Sequence, residues 1–232
     1  MCPASYTFDK QPTARAFIWK QQIMCALFSS SLELGHVIAA NISKTDVDKE
    51  RAPPLVRPSR GAPILIRNPV SGRTECLPAR FGLVPSWYRG GLKGWKVSSF
   101  NAQIETASEK RVFSGAWKYR HALIPATSFF KADKSGRKPK AVQITRSDNH
   151  PLVFAGLWEE AYLNEGELWS FAILTRPAGP DIASLEDREP VALRPEDWSK
   201  WLQGSDTDLR QPTGFKLTPM NFLVDQDVFA KV

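Results

Sequence analysis

The chain has 232 residues, and its hydrophobic fraction of 42% is typical of a globular protein with a buried core, which argues against extended disorder. Lysine and arginine number 31 against 24 aspartates and glutamates; the resulting net charge of +7 favours a polyanion as partner, although a solvated basic face would carry the same charge. Three cysteines without a C-x-x-C pair and three widely spaced histidines argue against a zinc site or a disulfide framework, so we expect no metal and no cofactor.

The sparse cysteines also indicate a reducing compartment. The apolar run at residues 23–28 is too short to cross a bilayer. The sequence therefore predicts a cytoplasmic protein that makes no contact with a membrane, and we expect a monomer.

The first predicted element is a helix that Thr13 caps, in which Phe17, Met24 and Phe28 have helical spacing. Residues 44–63 are charged and rich in proline, which predicts a surface loop that leads into a strand.

Short runs rich in β-branched and aromatic residues follow, separated by Pro, Gly or Asn, and they predict a core made of many strands. In chain order the runs are PILIR (63–67), LPARFGLVPSW (77–87), WKVSSFNAQI (95–104), HALIPATSFFKA (121–132), KAVQITR (140–146), LVFAGLW (152–158) and WSFAILTR (169–176).

Two short helices are predicted among these strands. The first covers residues 106–119, where Thr106 and Glu109 have the spacing of a capping box. The second covers residues 194–202, with Pro195 in its first turn. Because no long Gly/Ser linker divides the chain, we expect one β-rich α+β domain over residues 1–232.

The second residue of the chain, Cys2, is chemically unusual. If Met1 is removed, Cys2 carries an α-amine and a thiol on adjacent carbons, a combination that an internal cysteine cannot offer. Pro3 predicts slow removal of Met1, and if Met1 stays, Cys2 is a small and inert residue.

Several stretches resemble, in the same order, the SRAP family of SOS-response-associated peptidases, whose members process abasic sites in single-stranded DNA. They are FGLVPSW (81–87), NAQIETASEKRVF (101–113), HALIPATSFFKA (121–132), FAGLWEE (154–160), and SFAILTRPAG with SLEDREPVALRPEDWSKWL (170–202). With Cys2, the resemblance covers most of residues 80–202, whereas residues 29–60 match poorly and are predicted to be a loop-rich insertion.

The resemblance implies a barrel-like, mostly antiparallel sheet with short helices and a positively charged groove. It also implies that the α-amine of mature Cys2 forms an imine with the aldehyde of a ring-opened abasic site. The thiol then closes a thiazolidine, which is a covalent DNA–protein cross-link. The peptidase label implies autoproteolytic release of Met1 or a propeptide, and the SOS label implies a role in the response to DNA damage.

The residues implied for the reaction differ partly from the family pattern. Cys2 matches the nucleophile, and Asn101 matches an asparagine that hydrogen-bonds near it. Lys131 stands where the family has a catalytic glutamate, and Glu186 stands where it has a histidine. Gln103 replaces an arginine.

The exchange at Lys131 and Glu186 leaves several interpretations open. The pair could carry the acid–base role, with Glu186 relaying protons, or Lys131 could make the Cys2 amine more nucleophilic by like-charge repulsion. Lys131 could itself form an imine and promote β-elimination. Alternatively, the two side chains form a structural ion pair in a catalytically degenerate protein that binds single-stranded DNA.

Aromatic and basic residues are interleaved in VPSWYRGGLKGWK (84–96), a composition that can stack bases and contact phosphates. The alternative is that Trp87 belongs to the core and that the glycines only form a turn. The candidate DNA-binding residues are Trp87, Arg89, Lys93, Gln103, Arg111, Arg57, Pro58 and Arg60.

A third class of function, a cysteine hydrolase acting on other substrates, requires a base beside the Cys2 thiol. None of His36, His121 and His150 lies in a matching motif, so this class ranks last.

Overall fold

Twelve strands and two short α-helices make up the described part of the chain, residues 27–30, 55–136, 139–205, 207–210 and 213–223 of a computed structural model. The strands are β1 (Phe28–Ser29), β2 (Leu55–Val56), β3 (Gly61–Arg67), β4 (Thr74–Phe81), β5 (Asn101–Gln103), β6 (His121–Ala126), β7 (Ser128–Asp133), β8 (Lys140–Arg146), β9 (Leu152–Leu163), β10 (Gly166–Pro177), β11 (Arg188–Pro190) and β12 (Phe215–Leu223). The helices are α1 (Ser114–Tyr119) and α2 (Pro195–Leu202), with a 3-10 helix at Leu92–Gly94.

Five strands form a closed ring in the order β10, β4, β3, β6, β9, because β9 also pairs with β10. The ring is antiparallel except where β10 runs parallel to β4 at Ser170 and Phe171. Further along β10, β5 adds in parallel with Asn101 opposite Ile173, and β11 adds in antiparallel fashion. The predicted barrel-like, mostly antiparallel sheet with few short helices is therefore confirmed.

A second sheet has the strand order β12, β8, β7, β1, β2, and all of its pairs are antiparallel. The run at residues 121–132 supplies strands to both sheets, since β6 ends at Ala126 and β7 begins at Ser128. The N–H of Thr127, between them, donates to the carbonyl oxygen of Ser29 at 2.9 Å. Lys131 follows this corner on β7 and therefore belongs to the second sheet.

Neighbouring residues of the barrel strands enter two different hydrophobic clusters, as the alternation of side chains in a strand requires. Ile124 and Phe154 belong to one cluster, together with Phe129 of the second sheet. Leu123 belongs to the other, together with Trp198 of α2. Both faces of these strands are buried, which explains why the sequence runs are continuously apolar rather than alternating.

The helix predicted at residues 194–202 is confirmed as α2, which begins at Pro195. Its buried Trp201 donates from Nε1 to the carbonyl oxygen of Ala122 at 3.0 Å. The ring of His121 stacks on Trp201 at 4.0 Å between centroids, and its two nitrogens face the carbonyl oxygens of Trp117 and Trp201. These contacts attach α2 to the barrel.

Two predicted helices need correction. In the range 106–119, the α-helix begins only at Ser114. Residues 104–113 form turns, because some of their backbone N–H groups donate to the carbonyl oxygen three residues earlier and others to the one four residues earlier. Thr106 Oγ1 makes no hydrogen bond to any described residue, so it does not cap a helix. Phe28 lies in β1 opposite Phe129, not at a helix end; residues 13–26 of that prediction lie outside the described residues.

Gly156 is required where β9 packs between β6 and β10. A Cβ there would lie 2.7 Å from the carbonyl oxygen of Ala172 and 2.1 Å from Cδ1 of Ile124. We expect Gly156→Ala to lower the free energy of unfolding by about 1–3 kcal/mol, because the backbone must shift to admit the methyl group. Urea denaturation measures this loss.

The control is Gly115→Ala in α1, where the nearest atom to a new Cβ is Glu159 Oε1 at 3.4 Å. Alanine favours a helix, so this variant should be neutral or more stable by up to about 1 kcal/mol. Equal losses for the two substitutions would contradict the packing role of Gly156.

Candidate active site and basic loop

Lys131 is buried at the centre of the second sheet. It lies on β7 opposite Val142 of β8, two residues after Phe129, so its side chain leaves the strand on the core-facing side. The residue is 2% exposed, and its Nζ makes no hydrogen bond to any described residue. A buried cation without hydrogen bonds is costly, which marks this position as a functional candidate.

Glu186 lies in the turns that connect β10 and β11. Its N–H donates to the carbonyl oxygen of Ile182 at 3.1 Å, and Ile182 is fully buried in the core. Ala178 N–H, at the start of the same connection, donates to the carbonyl oxygen of Asp187 at 2.9 Å. The backbone around Glu186 is thus attached to the barrel on both sides.

The structure brings Lys131 and Glu186 together, with Nζ and Oε1 3.9 Å apart and side chains 3% and 9% exposed. Other ion pairs of the fold are tighter: Arg176 and Glu189 approach to 2.7 Å and are hydrogen-bonded. The Lys131–Glu186 pair is therefore an electrostatic contact without a direct hydrogen bond, between two buried side chains.

Asn101 and Gln103 lie on β5 beside β10, opposite Ile173 and Thr175. The side-chain oxygen of Asn101 is buried. After β5, Glu105 accepts two hydrogen bonds from Arg188, at 2.7 and 3.2 Å. Burial works to raise the pKa of Glu105, but the Arg188 hydrogen bond and charge outweigh burial and lower it.

Arg188 also donates to the carbonyl oxygen of Thr175 at 2.7 Å, so it joins the segments after β5 and around β10 and β11. Glu186 lies two residues before Arg188.

Cys2, the predicted nucleophile, lies outside the described residues, as does His36. His121, another candidate base, has both ring nitrogens occupied by backbone carbonyl groups as described above.

The loop at residues 84–96 is held in shape by its own aromatic residues. Tyr88 packs against Trp95 at 4.9 Å between ring centroids, and its hydroxyl donates to the carbonyl oxygen of Gly91 at 3.0 Å. A Cβ at Gly90 or Gly94 would lie 2.5 or 2.8 Å from that hydroxyl, so the glycines make room for Tyr88. Gly90 and Gly94 are therefore needed for the packing of Tyr88 and do not only form a turn.

Trp87 is 43% exposed and is not a core residue. The guanidinium carbon of Arg111 lies 4.3 Å from its ring centroid, a cation–π contact, and Trp87 Nε1 donates to the carbonyl oxygen of Arg111 at 3.4 Å. Arg89 and Lys93 are also exposed on this loop. We call the residues Trp87, Arg89, Lys93 and Arg111 the aromatic–basic face.

Arg57, Pro58 and Arg60 lie in one turn between β2 and β3, which Ser59 closes with a positive φ of 70°. Ser59 N–H donates to the carbonyl oxygen of Phe81, the last residue of β4. Arg80 was missed by sequence reasoning: its guanidinium donates to Ser59 Oγ at 2.8 Å and to the Gly82 carbonyl oxygen at 2.7 Å, and burial lowers its pKa. Its place directly before FGLVPSW was an available signal.

Glu159 was also missed. It is 2% exposed on β9 and forms an ion pair with Arg120 at 3.1 Å. Burial raises the pKa of Glu159, while Arg120 and hydrogen bonds from Ser86 act to lower it. Since Ser86 precedes Trp87, Glu159 supports the base of the loop. The available signal was the pair of adjacent carboxylates, Glu159 and Glu160, after a continuous apolar run in β9.

No helix in the described ranges is long and apolar enough to cross a membrane. Within the same ranges, no group of three or more His, Cys, Asp or Glu residues is placed to hold a metal ion.

The fold of the chain recurs in solved structures. A protein from Bordetella bronchiseptica superposes with a TM-score of 0.71 at 23% identity, covering 85% of this chain and all of that chain. One from Bacteroides thetaiotaomicron also has a TM-score of 0.71, at 20% identity, covering 88% of this chain and 94% of its own. These likenesses establish the class of fold.

The family model described as SOS response associated peptidase (SRAP) matches residues 24–227, and the chain belongs to this family. It is 31% identical over 189 residues to the abasic site processing protein YoqW of Bacillus subtilis, covering 80% of this chain and 83% of YoqW. It is 29% identical over 126 residues to the abasic site processing protein YedK of Escherichia coli, covering 54% of each.

The burial of the Lys131–Glu186 pair predicts how the two side chains affect stability. Glu186→Gln should lower the free energy of unfolding by about 3 kcal/mol, because it leaves the Lys131 charge buried without a counter-charge. Adding Lys131→Met should restore most of that loss. Urea denaturation of both single variants and the double variant gives the coupling energy. A loss below about 0.5 kcal/mol for Glu186→Gln is typical of an exposed pair and would contradict the prediction.

Proposed function

We propose that this protein processes abasic sites in single-stranded DNA and that Cys2, exposed by removal of Met1, forms a thiazolidine cross-link with the abasic deoxyribose. The observation that carries the proposal is membership of the SRAP family over residues 24–227 in a chain whose second residue is cysteine. The names of the relatives, abasic site processing proteins, support the substrate.

In this proposal, Asn101 orients the mature N-terminus, and the Lys131–Glu186 pair transfers protons as the imine forms and the ring closes. The burial of both side chains supports this assignment, since proton transfer within a dry pair avoids loss to solvent. We further propose that the peptidase activity is the autoproteolytic release of residues preceding Cys2, and that the protein acts in the SOS response to DNA damage.

We also propose that the aromatic–basic face binds the DNA strand, with Gln103, Arg57, Pro58 and Arg60 extending the surface. An exposed indole beside exposed cations offers a base a stacking partner and offers phosphates a positive field. A cytoplasmic location and a monomeric state remain predictions.

Incubation with an oligonucleotide that contains one abasic site tests the cross-link. We expect a covalent band that resists denaturation and disappears in Cys2→Ala, with intact mass spectrometry confirming that Met1 is absent. Cys76→Ala is the control, because Cys76 lies in β4 and is buried, and its loss should leave the band unchanged. No band from protein that begins at Cys2 would overturn the proposal and favour a catalytically degenerate DNA-binding protein.

Binding to an unmodified single-stranded oligonucleotide tests the aromatic–basic face. Trp87→Ala should weaken binding by about 1–3 kcal/mol if a base stacks on the indole. Arg111→Ala should reduce the slope of log K against log salt by about one if it contacts a phosphate. The control is Tyr119→Ala, which removes an aromatic ring that is 81% exposed on α1. Equal effects of Trp87→Ala and Tyr119→Ala would contradict a specific role for Trp87.

A further inference from the structure

We propose that Glu165, in the turn between β9 and β10, is a positioning residue for DNA binding: its carboxylate holds the loop at residues 84–96 in the conformation that presents the aromatic–basic face. The inference rests on the proposed function, since it assumes that this face binds the DNA strand. Glu165 acts through the loop and is not expected to contact the DNA.

The pairing of β9 with β10 fixes the place of Glu165. Leu163 pairs with Gly166, so Asn164 and Glu165 alone form the turn between the two strands. The φ of Gly166 is 118°, a conformation that glycine adopts without strain, and this allows so short a turn. Because the strands are paired as far as the turn, the hairpin gives Glu165 a more rigid support than the loop that it contacts.

The carboxylate of Glu165 is bound to the backbone of the loop. Leu92 N–H donates to its two oxygens at 3.1 and 3.2 Å, across 73 residues of sequence. A Cβ at Gly91 would lie 2.9 Å from Glu165 Oε1, so the loop has a glycine where the carboxylate approaches it. A hydrogen bond to an ionised acceptor is stronger than one between neutral groups. This bond therefore fixes one point of a segment that contains no strand and no α-helix.

The fixed point at Leu92 is connected to the aromatic–basic face. Leu92 begins the 3-10 helix that contains Lys93. Trp95 N–H follows this helix and donates to the carbonyl oxygen of Leu92 at 3.1 Å. The ring of Trp95 in turn packs edge-on against Trp87, with 6.0 Å between the ring centroids. Loss of the Glu165 contact should therefore loosen both a cation and the exposed indole of the face.

The same hairpin also supports the beginning of the loop. Val84 N–H donates to Ser170 Oγ at 2.9 Å. Ser86 donates to Glu159, as described above. Ser170 and Glu159 are buried in the barrel, whereas Glu165 is exposed. Glu165 is thus the contact that can be removed with the least effect on the stability of the fold.

The charge of Glu165 and its positioning role predict opposite effects on DNA binding. A carboxylate beside exposed lysine and arginine side chains repels phosphates, so its removal should strengthen binding if charge alone matters. If Glu165 positions the loop, its removal should weaken binding, because a smaller fraction of the free protein then has the binding conformation.

The affinity for an unmodified single-stranded oligonucleotide, measured at one salt concentration, tests the inference. Glu165→Ala should weaken binding by about fivefold, the size expected for one hydrogen bond. Glu165→Gln keeps an oxygen that can accept from Leu92 N–H, and it should bind as well as the unsubstituted protein or more tightly. The control is Glu167→Ala, which removes a carboxylate of the same hairpin that accepts from Trp169 Nε1 and not from the loop. This control should not weaken binding.

Hydrogen exchange measured by mass spectrometry without DNA shows whether the loop itself has changed. Peptides that span residues 84–96 should exchange faster in Glu165→Ala than in Glu165→Gln, while peptides from β3 and β6 should exchange equally in both. Weaker DNA binding without this faster exchange contradicts positioning as the cause.

The remaining outcomes separate the inference from the proposed function. Normal DNA binding by the unsubstituted protein together with unchanged or tighter binding by Glu165→Ala overturns the inference alone. Equal weakening by Glu165→Ala and Glu165→Gln also overturns it, because the acceptor oxygen then has no role. If the unsubstituted protein binds no single-stranded DNA, the proposed DNA-binding face is wrong and the inference fails with it.

Discussion

The hydrogen bonding of both edges of β10 is the constraint on which the rest of the fold depends. One edge pairs with β9 and then with β11, and the other pairs with β4 and then with β5. This closes the barrel and places the ends of β4, β5 and β11 around one strand. The loop with Trp87 follows β4, Asn101 begins β5, and Glu186 precedes β11. Separate segments of the chain that resemble family motifs are therefore organised by one strand, which itself supplies no predicted site residue.

Burial of charge is handled in two different ways in this molecule. Arg176 and Glu189 are almost completely buried, but Glu189 also accepts a hydrogen bond from Gly179 N–H at 2.9 Å, so the polar atoms compensate one another. Lys131 and Glu186 are similarly buried at a longer distance and without a direct hydrogen bond. Since the desolvation of two ions is recovered only with good geometry, the second arrangement is poor as a structural device. This difference supports the chemical role that we propose for the pair.

Much of the fold follows from local sequence pattern. The apolar runs predicted strands at nearly every position where the structure has one from β3 to β10, and Pro195 marked the start of α2. The failures have a common cause. Residues 104–113 carry a helical pattern of apolar residues, but Ala107 and Phe113 must reach the core beside β10, so the chain folds in turns instead. Phe28 has helical spacing with earlier residues, but its ring packs against Phe81 and Phe154 from within a strand.

By itself, the sequence determined the strand-rich class, the family resemblance, and the identity of the two exchanged residues, because these depend on residue type and order along the chain. Only the tertiary structure decided that Lys131 and Glu186 meet in a buried environment, since Lys131 lies on β7, Glu186 lies between β10 and β11, and no local pattern encodes their 3.9 Å approach. It also decided that Trp87 is exposed beside Arg111, which a composition shared by cores and binding surfaces leaves open. The Lys131–Glu186 distance and the exposure of Trp87 depend on the closure of the barrel. That closure is formed by contacts between residues far apart in sequence, which local patterns do not determine.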